Sequence, residues 1–113
     1  MHEMSICEGI VQILEEQAKA QDYRQVKKVW LEIGPFAGIE LDALHFCFDV
    51  VARGTLSENA ELHVIQPDAQ AWCLACSKTV NIKARYDSCP HCSSHQLQIT
   101  AGDELRIKEL EVE

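Results

Sequence analysis

The sequence predicts an α+β fold: a three-stranded sheet with two helices, interrupted by an inserted four-cysteine domain. Three observations carry this. Two stretches place apolar residues every three or four positions, the period of a helix with one buried face. Three others alternate apolar with charged or polar residues, the period of a half-buried strand. Between the second and third strands this patterning gives way to turn residues and two C-x-x-C pairs.

The first helix is expected over residues 4–20, where Met4, Cys7, Val11, Leu14 and Ala18 line one face. Ser5 followed by Glu8 fits a capping box at its start. "VKKVWLEIG" is the first strand, with Val29, Leu31 and Ile33 alternating against Lys28, Trp30 and Glu32, and Gly34-Pro35 stops it. The second helix spans 40–53, with Leu41, Leu44, Phe48 and Val51 on one stripe and Gly54 as C-terminal cap. "AELHVIQ" is the second strand, ended by Pro67. "ELRIKELEVE" is the third. Its phase slips, since Leu105 and Ile107 share one face and Leu110 and Val112 the other, and a bulge near Lys108-Glu109 reconciles them.

Residues 67–97 then form the insert, and 1–66 with 98–113 form the α+β domain. An insert of roughly 30 residues buries too little apolar surface to fold on its own, so a metal is expected to hold it together.

A length of 113 residues and a hydrophobic content of 47% suit one compact domain with a small insert. Net charge is −8, divided as −6 over residues 1–66, +1 over 67–97 and −3 over 98–113. Such a balance repels phosphate backbones, so nucleic-acid binding is disfavoured, while cationic partners and metal ions are suited. No apolar run approaches the roughly 18 residues of a membrane span. Glu3, Glu8, Glu15 and Glu16 interrupt the start and a basic leader segment is missing, so a secretory signal is not expected and the cytosol is.

Cys73-x2-Cys76 and Cys89-x2-Cys92 are separated by 12 residues. Each pair aims two sulfurs at one point, and the loop returns the second pair to the first. Four thiolates make a soft tetrahedral cage that suits Zn(II), with no open position for hydrolysis. A zinc-ribbon-like structural site is therefore expected; iron is the main rival, because "CPHC" also resembles a rubredoxin knuckle. A redox dithiol needs only one such pair. His91 and His95 read as exposed turn residues or, alternatively, as a replacement ligand or a pH-sensitive neighbour of the site. Cys7 and Cys47 stand alone inside helical patterns and read as buried core thiols.

The chain opens Met1-His2-Glu3. A bulky second residue disfavours removal of Met1. The free amine, the His2 backbone nitrogen and the His2 imidazole then close adjacent chelate rings, a nitrogen-rich set that favours Ni(II) or Cu(II) over zinc. Glu3, or another carboxylate brought close by folding, would complete or expand the sphere.

With both features in view, the chain resembles the HypA/HybF family of nickel metallochaperones, which mature NiFe hydrogenases. The likeness runs through "MHE", "VWLEIG", "FCFDVVARGT", "AQAWCLACS", "CPHC" and "IKELEVE". The resemblance implies a nickel-binding α+β domain with an inserted zinc domain. By position it implies His2 as the essential nickel ligand, with the Met1 amine and the backbone nitrogens of His2 and Glu3 nearby. The side chains of Glu3 and Glu40 are candidate helpers, and Cys73, Cys76, Cys89 and Cys92 are the zinc ligands. It further implies a HypB-type GTPase and a hydrogenase large-subunit precursor as partners, and leaves a homodimer open. Some relatives carry histidine directly after each C-x-x-C, where this chain has Ser77 and Ser93. A mechanism in which those histidines replace cysteine on zinc therefore does not transfer.

The competing reading is a zinc-ribbon adaptor that binds protein or nucleic acid, with His2 incidental. Trp72 and Tyr86 are then either contact residues or packing around the zinc turns. An enzyme is not expected, since the sequence has no glycine-rich phosphate loop, no Ser/His/Asp set and no open zinc site. His45 and His63 read as packed or exposed structural residues.

Overall fold

The computed structural model describes residues 2–113. Their elements are α1 (His2–Gln21), β1 (Val26–Ile33), α2 (Leu41–Ala52), β2 (Glu61–Ile65), β3 (Ala69–Cys73), β4 (Lys78–Ile82), β5 (Leu97–Ala101) and β6 (Leu105–Val112). The strands form two three-stranded sheets, ordered β2-β1-β6 and β4-β3-β5. The architecture is the expected α+β mixture, with a second sheet that the sequence reading did not foresee. The chain divides into two compact units. One comprises the residues through Leu31, Ile39–Val64 and Ile107–Glu113; the other comprises Glu32–Gly38 and Ile65–Arg106. No helix among the described residues is long and apolar enough to cross a membrane.

In the first unit α1 packs on α2. Helix α1 starts at His2, ahead of the expected residue 4, so Ser5 lies inside the helix and the Ser5/Glu8 capping box is not formed. Glu3 supplies negative charge in the first turn, where unpaired N–H groups favour it. Cys7, Ile10, Val11, Leu14 and Ala18 form its buried face, while Met4 is only half-buried. Cys7 and Cys47 are core thiols as expected, and the Cys7 thiol donates to the Leu44 carbonyl at 3.5 Å. Helix α2 buries Leu44, Cys47, Phe48 and Ala52. Its N-cap is Glu40 in extended conformation, and Gly54, one residue past the Arg53 cap, takes the left-handed φ of 75° that a helix stop uses.

Strand β1 buries Val26, Val29, Leu31 and Ile33. From the alternate side, Trp30 stacks on His63, with ring centroids 5.3 Å apart and 17° between planes. Reciprocal hydrogen bonds between Gln25 and Glu113 at one end, and Gly34 N–H to the Glu104 carbonyl at the other, show that β1 and β6 run antiparallel. Glu32 departs from simple alternation: it is only 6% exposed, and Arg106 pairs with its carboxylate. Along β6 the half-buried residues are Ile107 and Leu110, so burial there does not keep a period of two.

In the second unit β3 is the central strand. It pairs antiparallel with β4 from Ala69↔Ile82 to Cys73↔Lys78, and with β5 through Trp72↔Gln98 and Cys73↔Leu97. Ala69, Ala71, Cys73, Val80, Ile82 and Cys89 make its small core. Gly34 is required by a close approach, since a side chain there would collide with the Gly102 carbonyl oxygen.

Candidate metal centre

The cysteine cage grows out of the β3–β4 hairpin. Cys73 ends β3, Cys76 sits in the tight turn, and β4 leaves at Lys78. Cys89 and Cys92 lie on the loop between β4 and β5. The two knuckles are built alike. Ser77 N–H donates to the Cys73 carbonyl at 2.8 Å, and Ser93 N–H to the Cys89 carbonyl at 2.9 Å. The residue closing each knuckle is left-handed, with φ 53° at Ser77 and 64° at Ser93. The loop carrying the second pair is pinned by Asp87, whose carboxylate accepts from the N–H groups of Lys83 at 2.9 Å and Ala84 at 3.0 Å. Leu74 N–H to the Gln96 carbonyl at 3.0 Å ties the loop's far end to the first knuckle.

The four sulfurs all lie within 4.8 Å of one another. Cys73 and Cys92 are 3.6 Å apart and Cys76 and Cys89 3.9 Å, far beyond a disulfide bond of about 2.05 Å. A tetrahedron with metal–sulfur bonds of about 2.3 Å has edges of about 3.8 Å, so the spacing matches a four-thiolate metal such as zinc. Backbone donors favour thiolates here: Cys76 N–H points at Cys73 Sγ and His91 N–H at Cys89 Sγ, each at 3.4 Å. The thiols compete for protons. The hydrogen bond with Cys92, followed by burial, pushes Cys76 up to about 12. Burial also raises Cys89, but the N–H groups of Cys92 and His91 outweigh it and bring that thiol down to about 7. Four thiolates so close together repel one another, and a bound dication would supply the charge that lets them ionise together.

The remaining candidates of this unit are placed plainly. His91 and His95 are exposed. Tyr86 is 91% exposed, so it does not pack around the knuckles, and Trp72 is partly exposed.

At the other candidate site, His2 is the first described residue; Met1 and its amine lie outside the described residues. The His2 side chain is 57% exposed and its Nε2 lies 3.3 Å from Glu3 Oε2, while Glu3 is 12% exposed. Glu3 Oε2 also accepts the backbone N–H of Glu40 at 3.2 Å. That bond, Glu3's own N–H and the nearby His2 charge hold the Glu3 carboxyl below the usual range. Glu40 in turn caps α2, with Oε1 accepting from Asp42 N–H at 3.1 Å and Oε2 from Ala43 N–H at 2.8 Å. The fold therefore brings His2, Glu3 and Glu40 together: His2 approaches Glu3 at ion-pair distance, and Glu3 accepts the Glu40 N–H. Among the described residues, the four cysteines are the only group of three or more His, Cys, Asp or Glu side chains whose donor atoms converge. Sequence reasoning missed the capping role of Glu40 and the left-handed closure at Ser77 and Ser93. The signal for the first was a carboxylate directly before the apolar stripe of α2.

Comparison with known proteins places this arrangement. The family model described as "Hydrogenase/urease nickel incorporation, metallochaperone, hypA" matches residues 1–112. The chain is 61% identical over 113 residues to a hydrogenase maturation factor HypA of Azotobacter vinelandii, covering all of both chains. It is 50% identical, again over the full length of both, to the HypA of Rhodopseudomonas palustris strain BisA53. Its fold superposes on the solution structure of the nickel metallochaperone HypA from Helicobacter pylori with a TM-score of 0.69 at 25% identity, covering 97% of this chain and 96% of that one. A second HypA solution structure gives a TM-score of 0.73 at 26% identity, over 99% and 96% of the two chains. The chain belongs to the HypA family of nickel-incorporating metallochaperones for hydrogenase and urease.

Proposed function

We propose that the chain is a non-enzymatic nickel carrier that takes Ni(II) at its amino terminus and delivers it to a NiFe hydrogenase large-subunit precursor. The donors are the Met1 amine and the backbone and imidazole nitrogens of His2, with the carboxylates of Glu3 and Glu40 beside them. Residues 1–66 and 98–113 handle nickel, and 67–97 hold structural zinc on Cys73, Cys76, Cys89 and Cys92. A HypB-type GTPase works with it.

The observation that carries this reading is the exposed imidazole of His2 at the first turn of α1. N–H groups of a helix's first turn have no intrahelical acceptor, so the His2 amide nitrogen is free to deprotonate and bind a metal. Square-planar nitrogen donors suit Ni(II). The positive end of the α1 dipole opposes a bound cation, which weakens the site and speeds release, as a carrier requires. The closed thiolate cage has the opposite property and stays loaded.

The test is a Ni(II) titration of zinc-loaded protein with its native amino terminus, beside His2→Ala, counting both metals. Nickel bound by the native protein with zinc retained, and lost in His2→Ala, supports the carrier. Equal binding by both proteins, or binding only by displacement of zinc, makes the terminus incidental and leaves the adaptor reading in its place.

A further inference from the structure

We infer that Phe36, Lys83, Arg85, Tyr86 and Ile99 form a docking site for a short acidic segment of a partner protein, one that carries a carboxylate side chain next to a large apolar one. All five residues belong to the compact unit that holds the cysteine cage, so the inference stands independently of the amino-terminal nickel site.

The surface is built on a fixed ring. Phe36 N–H donates to the Gly102 carbonyl at 2.6 Å, and its side chain packs against the small core around β3. Gly102 makes room for it, since a side chain there would collide with the ring. The Arg85 guanidinium sits over the same ring, 4.6 Å from its centroid. A guanidinium held by its face keeps the N–H donors of its edge, and those donors match a carboxylate bidentately. Arg85 takes part in none of the ion pairs among the described residues, so its edge has no carboxylate of this chain to meet. Lys83 and Tyr86 stand beside it on a tight turn. The carboxylate of that turn, Asp87, is engaged with the backbone: its Oδ2 accepts the N–H groups of Lys83 and Ala84, and Asp87 N–H donates to the Ala84 carbonyl at 3.1 Å. Lys83, Arg85 and Tyr86 are all left exposed.

Two hollows share Phe36 and Arg85. The larger, of about 490 Å³, is lined further by Lys83 and Tyr86 and by no acidic residue, which suits a carboxylate. The smaller, of about 290 Å³, adds Ile99, Ala101 and Asp103. Ile99 is 40% exposed there and offers an apolar side chain a partner, while Asp103 turns a second carboxylate away. Charge selects the occupant. Residues 67–97 carry +1 in a chain of −8. A long polyanion such as nucleic acid would meet the acidic remainder of the chain and be repelled. A segment with one or two carboxylates uses the local cations alone, because charges more than about 8–10 Å away are screened. Exposed arginine and tyrosine are also the side chains that most often anchor protein interfaces.

The test pans a display library of random peptides against the zinc-loaded full-length protein, with Arg85→Ser protein as the counter-selection. An enriched peptide, and its analogue with glutamine or asparagine at each acidic position, are then titrated by fluorescence anisotropy into native, Arg85→Ser, Lys83→Ser and Tyr86→Ala proteins. All three positions are exposed, and zinc content checks that each variant is folded. The expected peptides place Glu or Asp beside an aromatic or aliphatic residue. Their affinity should fall about tenfold or more in Arg85→Ser and in the amide analogue, fall less in Lys83→Ser and Tyr86→Ala, and weaken with added salt. Amide resonances of Phe36, Arg85 and Ile99 should shift on binding. The site is overturned if no enriched sequence distinguishes native from Arg85→Ser protein, or if the amide analogue binds as well as the acidic peptide. A single-stranded oligonucleotide that binds native protein and not Arg85→Ser would assign the face to nucleic acid and overturn it too. So would a change in sedimentation of the free protein on Arg85→Ser substitution, which would make this face a contact between copies of the chain.

Discussion

Stripping the metal from the cysteine cage is expected to unfold the unit that carries it, and the structure sets the size of the effect. Besides Cys73 and Cys89, the core of that unit consists of Ala69, Ala71, Val80 and Ile82, with Phe36 and Leu97 partly buried against it. Burying a valine or isoleucine contributes about 1.5–3 kcal/mol and an alanine methyl about 0.8 kcal/mol. The four fully buried apolar side chains therefore supply at most about 8 kcal/mol, against the entropy of ordering Ile65–Arg106. A structural zinc on four thiolates contributes about 10–16 kcal/mol near neutral pH, more than that whole apolar core. The assay is amide hydrogen exchange after complete removal of metal by a chelator, with removal verified by elemental analysis. Protection in the Ala71↔Val80 region of the β3–β4 ladder should disappear. Protection in α1 and α2, whose buried face uses Leu14, Leu44 and Phe48, should persist. Lowering pH should act in the same direction, because binding releases thiol protons, among them that of Cys76, whose thiol is pushed up to about 12. Survival of β3–β4 protection in verified metal-free protein would refute the reasoning.

Three further outcomes are expected. Phe48, fully buried on α2, should cost about 3–5 kcal/mol on truncation in Phe48→Ala, read by urea unfolding. Ser77 and Ser93 sit in left-handed backbone, so Ser77→Asn and Ser93→Asn should each stabilise the loaded protein by up to about 1 kcal/mol, read as a shift in the thermal midpoint. Cys7 is raised to about 11, mainly by burial and then by the nearby Cys47 and Glu3. Its folded value lies above the unfolded value of 9.0, so its stabilising contribution is complete below pH 9 and is lost as pH rises towards 11. Cys7→Ala should flatten the fall of stability over that window, and iodoacetamide at pH 8 should leave Cys7 unmodified in the folded protein.

Much of the fold was written in short-range pattern. The helical stripes of α1 and α2 and the alternation of β1 follow from side chains that must share one buried face, and a single chain segment contains all of that information. What escaped was small or distant. Strand β3 alternates correctly, but its inward residues Ala69, Ala71 and Cys73 carry too little hydrophobicity to stand out, and β4 and β5 are only five residues each. The burial of Glu32 depends on Arg106, 74 residues away, and nothing local announces it. Ser5 and Glu8 had the right spacing for a cap, but a helix beginning at His2 leaves no place for one there. The cysteine cage was legible because two C-x-x-C pairs encode convergence directly. The amino-terminal group was legible only at His2-Glu3, which are neighbours in sequence; the contact with Glu40 spans 37 residues and is made by the turn into α2.

The cage presents unequal corners to water. Cys73 is fully shielded at the end of β3 and Cys89 almost so, whereas Cys92 is exposed. A four-coordinate metal exchanges its ligands one bond at a time, and a competing thiol or chelator can attack only where it can reach. A metal held by Cys73, Cys76, Cys89 and Cys92 would therefore be most open to a competing ligand at the Cys92 corner, the only one of the four residues that is exposed. Tight equilibrium binding and slow exchange then become separate properties. The first is set by all four thiolates, and the second by the accessibility of one residue. Burying that corner beneath a docked protein would lengthen the residence time of the metal without touching a single metal–sulfur bond.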